Sequence, residues 1–589
     1  MPAYDDGGQG VEGFKNSITP SGVYDALEYL RTLHFVDKTR IGLTGHSMGS
    51  RRTGHTCFLD CGYFTRNDLL INILYDTFGQ TFTEEEINQD ADELAAARLN
   101  EDELKYYNKL RDDALEYYET RVKALCLLGS AAELVGLIQP VEVGGYEVMR
   151  NCQVNYGIVD GQFDYNYRDY ATRDTTKEAW HAGDKEIELS TWYALDDVNS
   201  TNKALGKLEE ESILTNTELK KAIDNRCVRM FTLNKETHSK NFFSNATTSD
   251  TVKFFEQTLG YNGGDLGSSA YKPIDAYNTI SLWSEVFNLL AMISMFAAVV
   301  CLASVLVKRP FFADCVAPEY ETAEKPFNAK RFCLFSLLGI AVEFLAIYLA
   351  NGVFVPGLPN IAWLPFFPSW WLTFIFIAVL GLGSIISLVL FRVLDKKDNR
   401  FKALNLKMKF VNILKTILLS AILLAFAYAT LIVVLDLFNE DYRFWMAVFG
   451  EMKIEYWRYV WRFALCMTPC FLLIGASTNY SVRKDIADWK ETLITIVINS
   501  LGVYLCCLVN ILMLYGKDVL WSTFISTYGM LVIVPLTVYI TRKMYNITHS
   551  IWLGALTNSF LISWSFCSAM GLNCMVYHPQ TWITNFFNI

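Results

Sequence analysis

The chain has 589 residues, 52% of them hydrophobic, with 51 Lys+Arg against 62 Asp+Glu. A net charge of −11 disfavours nucleic acid as a partner, because the phosphate backbone would repel it. The charge is unevenly placed: residues 1–280 hold 28 Lys+Arg against 45 Asp+Glu, and the rest holds 23 against 17. An acidic soluble domain is therefore expected first, and the long apolar runs after it predict a membrane domain.

In chain order, the glycine-rich stretch Gly7-Gly8-Gln9-Gly10 comes first. A helix is predicted near residues 21–33, with Ser21 as cap and Tyr24, Leu27 and Leu30 at helical spacing. The strand-like run Arg40-Ile41-Gly42-Leu43-Thr44 leads into Gly45-His46-Ser47-Met48-Gly49. In such a G-x-S-x-G turn, small residues on both sides of a serine let the backbone bend sharply and lift the hydroxyl clear of the sheet. Ser47 is thus the candidate nucleophile. His46 and Met48 fill the variable positions, His46 as a packing residue, while the Met48 N–H can donate to an oxyanion. The reading of Ser47 as a helix-capping serine in a tight turn is the alternative.

Further strands are expected at Val122–Gly129, Val154–Val159 and Cys227–Leu233, with a closing helix near 249–259. Two insertions separate them. Residues 62–121 are acidic and helical, with Tyr106, Tyr107, Tyr117 and Tyr118 interleaved; residues 165–225 are polar, with Trp180, Trp192 and Tyr193. Neither has fixed ligand spacing, so no metal site is expected. Fourteen cysteines include no C-x-x-C pair and read as small apolar residues.

The run from Tyr24-Asp25-Ala26-Leu27 through Arg40-Ile41-Gly42 into the elbow, followed by these strands in order, resembles the α/β-hydrolase superfamily over about residues 5–260. The resemblance implies a mostly parallel sheet and a Ser…Asp…His triad. Asp164, in the turn Gly161-Gln162-Phe163-Asp164, is the implied acid and Asp160 its runner-up. His238, the one histidine after the last strand, is the implied base. It also implies that the insertions cap the site. Only 46 residues precede Ser47, too few for the strands that precede the elbow in that family. Missing front strands, a missing second oxyanion donor and a natural chain that begins earlier are therefore expected.

Residues 261–282 read as a linker and 283–589 as a polytopic domain. About eight spans are predicted, near 283–307, 332–354, 369–394, 410–436, 459–478, 492–515, 519–541 and 549–572. Loops after the odd-numbered spans are richer in Lys and Arg, for example Lys396-Lys397 and Arg542-Lys543. This predicts that those loops are cytoplasmic and the hydrolase-like domain extracytoplasmic, in a multi-pass plasma-membrane protein. Glu343, inside the second span, is an intramembrane functional candidate; Asn499, Asn510 and Asn558 read as interhelical hydrogen-bonding residues.

The expected function is a membrane-bound serine hydrolase acting on an ester, thioester or amide. Its substrate is a small molecule, a lipid or a peptide; the lipid bilayer is its partner, and it has no cofactor. The rival is a multi-pass transporter or receptor-like protein carrying an inactive hydrolase-like regulatory domain.

Overall fold

The computed structural model describes residues 22–129, 138–162, 188–195, 203–238, 240–260, 269, 272, 275, 280–319, 326–352, 363–364, 375–396, 400–438, 440–444, 447–452, 454–483, 485–516 and 525–570. The chain divides into two compact units, Met1–Thr279 and Ile280–Ile589.

The first unit is built on a mixed sheet. Helix α1 (Gly22–Thr32) precedes β1 (Gly42–His46) and α2 (Met48–Cys61). Helices α3 (Arg66–Phe78), α4 (Ala91–Arg98) and α5 (Glu101–Glu119) follow, then β2 (Ala124–Leu128). Next come β3 (Ile138–Val143), β4 (Tyr146–Asn151), β5 (Asn155–Gly161), β6 (Thr191–Ala194) and β7 (Lys203–Lys207). Helix α6 (Thr217–Asp224), β8 (Val228–Asn234) and α7 (Asn245–Leu259) complete the unit. Six strands pair in the order β1-β2-β5-β8-β6-β7. The first four run parallel; β6 lies antiparallel to β8, and β7 antiparallel to β6.

Alternation along the strands feeds two cores. Leu125, Leu127, Tyr156 and Ile158 pack with Leu27, Cys57 and Cys61 of α1 and α2. Ala124, Cys126, Val159 and Met230 pack on the other face with Leu219, Ile223 and Phe254 of α6 and α7. Strands buried on both faces read as near-continuous apolar runs, which is why they were legible in the sequence. Beneath α2, the wholly buried Asp60 carboxylate binds Arg31 through two bonds of 2.7 Å, Arg121 at 3.1 Å and the Val122 N–H at 2.8 Å. It ties α1, α2 and the entry to β2 together.

One expectation for this unit needs correcting. Residues 165–225 do not form only a cap: β6 joins the main sheet, making it mixed. Trp192 is completely buried and stacks on Phe254 at 5.9 Å. The 62–121 insertion is helical as expected. It has its own core of Leu70, Ile71, Leu74 and Leu94, which extends onto Val143 of the unanticipated β3–β4 hairpin.

The second unit is helical: α8 (Ile280–Leu306), α9 (Ala329–Gly352), a π-helical turn (Ile375–Gly383) leading into α10 (Ser384–Leu394), and α11 (Phe410–Phe438). A two-stranded ribbon, β9 (Tyr442–Phe444) and β10 (Ala447–Phe449), precedes α12 (Trp457–Asn479) and α13 (Asp488–Asn499). Helices α14 (Leu501–Gly516), α15 (Ile525–Thr548) and α16 (Ile551–Ser565) follow. Among the described residues five helices are long and apolar enough to cross a membrane. The count is six if α13 and α14, bent by 44° at their junction, form one span. This is the pattern of a multi-pass membrane protein.

The eight expected spans all contain helix, and over their described residues the last two fall short of the spanning pattern. Described α15 mixes Thr and Tyr into its apolar run and carries Arg542-Lys543 in its last two turns, and α16, of 15 residues, continues into a π-helical turn at Phe566–Met570. Nearly all of α16 is buried within the unit. Its polar side chains bond across helices: Asn558 Nδ2 donates to the Thr537 carbonyl at 2.8 Å and to Thr541 Oγ1 at 2.9 Å. Thr557 meets Ser420 at 3.3 Å, and Ser559 meets Thr468 at 3.2 Å.

Candidate functional site

The four parallel strands bring their carboxyl ends together. In register, His46 of β1 lies opposite Leu128 of β2, Leu128 opposite Val159 of β5, and Asp160 opposite Leu233 of β8. Ser47 follows β1, Asp160 ends β5, and His238 follows β8. In an open α/β sheet this edge is where ligands bind.

Ser47 occupies φ 57°, ψ −119°, a backbone conformation that a non-glycine residue holds only when its surroundings enforce it. The enforcing contacts are visible. The Ser47 N–H donates to the Leu128 carbonyl at 2.9 Å. Ser50 Oγ donates to the Gly45 and Leu128 carbonyls at 2.5 and 2.9 Å, and accepts from the Leu128 N–H at 3.1 Å. A Cβ on Gly45 would lie 2.5 Å from the Gly49 backbone, so the first glycine of the motif is a packing necessity. Met48 opens α2, so its N–H belongs to the first turn, where helix amides have no intrahelical acceptor.

His238 is nearly buried, at 6% exposure, against His46. The two rings lie 4.6 Å apart between centroids, tilted by 44°. His46 Nε2 sits 3.0 Å from the His238 carbonyl oxygen; since that oxygen only accepts, Nε2 carries the hydrogen. His46 thus holds the backbone of the candidate base from a position next to the candidate nucleophile. Both rings need Gly129, which has φ 60°. A Cβ there would fall 2.7 Å from His46 Nε2 and 3.2 Å from His238 Nδ1. The base-bearing loop is pinned from behind by Glu236, 5% exposed, which accepts from the hydroxyls of Ser244 and Thr247 at the start of α7. A Cβ on Gly161 would strike the Glu236 carbonyl at 2.5 Å.

Burial pushes His238 down to about 4, with the charge of Asp160 acting in the opposite direction. Burial also takes His46 down to about 4, helped by the neighbouring His238 ring and opposed by the bond to the His238 carbonyl. Both imidazoles are therefore neutral at ordinary pH, the form a general base requires.

Asp160 is wholly buried, and its Oδ1 accepts from the Gly161 N–H at 2.7 Å. The charge of Asp160 acts on His238; Asp164 lies outside the described residues. Sequence reasoning passed over Glu236 and Gly129 and read His46 only as packing. The one available signal was their spacing: Glu236 stands two residues before His238, and Gly129 closes a strand. Among the described residues no cluster of three His, Cys, Asp or Glu could hold a metal.

Comparison of the chain with protein families, curated proteins and solved structures finds no match.

Proposed function

We propose that the chain is a membrane-bound serine hydrolase of α/β-hydrolase type. The observation that carries the reading is the strained Ser47, φ 57° and ψ −119°, in a strand-to-helix turn whose preceding residue, His46, packs against the neutral, buried His238. Strain kept at the serine of such a turn calls for a functional reason.

In this mechanism Ser47 Oγ attacks the carbonyl carbon of an ester, thioester or amide, and His238 accepts the hydroxyl proton. The Met48 N–H donates to the developing oxyanion. His238 then returns the proton to the leaving group, and water hydrolyses the acyl-enzyme with the same base. The acid orients the imidazole and stabilises its charged form; the charge of Asp160 favours the protonated ring, and Asp164 has the sequence resemblance. The buried ring moves its proton reluctantly, so the acid must supply much of the stabilisation of imidazolium. The hydrolase unit lies outside the cytoplasm in this reading, which the loop charges favour, and takes a small-molecule, lipid or peptide substrate there.

A fluorophosphonate probe applied to the full chain in membranes tests the reading. Covalent labelling at Ser47, lost in Ser47→Ala, is the expected result. An unlabelled Ser47 in folded protein would leave the rival reading, an inactive hydrolase-like module on a transporter or receptor. That rival draws its support from the broken helix α13–α14.

A further inference from the structure

We propose that Glu343 is a reversible proton-binding site of the membrane unit, seated on the amino end of the second half of a broken helix. Glu343 lies on α9, one of the helices long and apolar enough to span a membrane. It faces the junction where α13 ends at Asn499 and α14 begins at Leu501, the pair bent by 44°. The first turn of α14 lies against the carboxylate, with Gly502 packed directly on it. First-turn amides are unused by the helix and carry the positive end of its dipole.

A second, independent observation points to a ligand. Glu343 Oε2 is shut away from the surface and has no hydrogen-bond partner among the described residues. The approach is close enough that a Cβ on Gly502 would overlap Oε2 and lie 2.8 Å from the Glu343 Cβ. The other titratable groups whose charge couples to it are Cys470 of α12 and Tyr504 and Cys506 of α14. Among the described residues none of the groups acting on the carboxylate is a cation.

The chemistry then selects the ligand. A bare carboxylate within a membrane is costly unless it is paired or neutralised. A metal ion needs several oxygen ligands, whereas this carboxylate faces the positive end of α14, which repels a cation. A proton needs only one vacant oxygen, and Oε2 supplies it. Uptake of H⁺ removes the charge that faces the end of α14. Discontinuous membrane helices whose half-helix ends face charged groups are a recurrent way of building such sites.

The test is made on the full chain in nanodiscs, with dicyclohexylcarbodiimide as probe, since it attacks protonated carboxyl groups in apolar surroundings. Mass spectrometry of the wild-type protein is expected to find the adduct on Glu343, falling about tenfold per pH unit above the midpoint. Infrared spectroscopy is expected to show a protonated-carboxyl C=O band with the same midpoint, absent from Glu343→Gln. If that variant misfolds, the wild-type titration still decides. Absence of both adduct and band throughout the pH range in which the protein stays folded would overturn the proposal, as would a band that persists in a folded Glu343→Gln.

Discussion

The two units solve opposite solvation problems. In the first, apolar side chains fill both faces of the sheet, and the polar residues of interest gather at one sheet edge. In the second, large apolar side chains point outward: Ile386, Val389 and Val393 on α10 are all more than half exposed, as are Phe410 and Val411 on α11. Its buried interior is threaded with Ser, Thr and Asn, as at Asn558 and Thr541. Where the surroundings are apolar, hydrophobicity cannot drive helices together, and interhelical hydrogen bonds and close packing specify the fold. A polar side chain therefore means something different in each unit. In the sheet domain a buried charge is an expensive exception with a task; in the bundle a buried hydroxyl is ordinary adhesive.

Four substitutions or conditions press on this contrast, in falling order of effect. The largest concerns the acid. Asp160→Asn is expected to lower kcat by up to about 10⁴-fold with little change in KM, whereas Asp164→Asn leaves kcat within about tenfold. The reverse ranking would make Asp164 the orienting acid, and steady-state kinetics on any substrate turned over decides between them. Next, Asp60→Ala strands Arg31 and Arg121 without their shared carboxylate, and is expected to destabilise the first unit by about 3–5 kcal/mol. Pulse proteolysis of the full chain should show that unit cut at lower denaturant while the bundle's fragments are unchanged.

The third is pH. His238 titrates near 4 when folded against about 6.5 when unfolded. The unfolded chain therefore binds the proton first as pH falls, and His238's contribution is fully present above about 6.5 and lost between there and about 4. That loss is on the order of 3 kcal/mol. The acid limb of kcat/KM should likewise fall near 4; a limb near 6.5 would show that the ring is solvated in the working enzyme. The smallest effect belongs to the bundle. Asn558→Leu removes two interhelical bonds and is expected to cost about 1 kcal/mol, read from detergent-induced unfolding.

The sequence revealed those parts of the molecule whose signal is local. The Tyr24–Leu30 periodicity gave α1, the apolar runs gave β2, β5 and β8, and the glycines around Ser47 marked the elbow. The β3–β4 hairpin and β6 were missed for a shared reason. Both are short, and β6 is defined by what it pairs with: Trp192 reads as a cap residue until β8 is placed beside it. The difference between the eight spans expected and those that meet the spanning pattern among the described residues has the complementary cause. Hydropathy reports that a helix avoids water, but not whether lipid or neighbouring helices cover it, and α16 is covered by helices. At the site, the candidate nucleophile and base were proposed from motif and chain order. The space left by Gly129 and the brace at Glu236 depend on contacts between distant segments, which leave no periodic trace.

All five cysteines of the first unit, Cys57, Cys61, Cys126, Cys152 and Cys227, are buried. Cys57 and Cys61, one helical turn apart with sulfurs separated by 3.6 Å, lie beneath the helix that begins at the elbow. An alkylating reagent can reach this pair only when α2 lifts from the sheet. The unmodified protein thus carries its own meter of breathing at the elbow: the rate of thiol capture would time how often that helix detaches, and a ligand that settles at Ser47 would slow the clock.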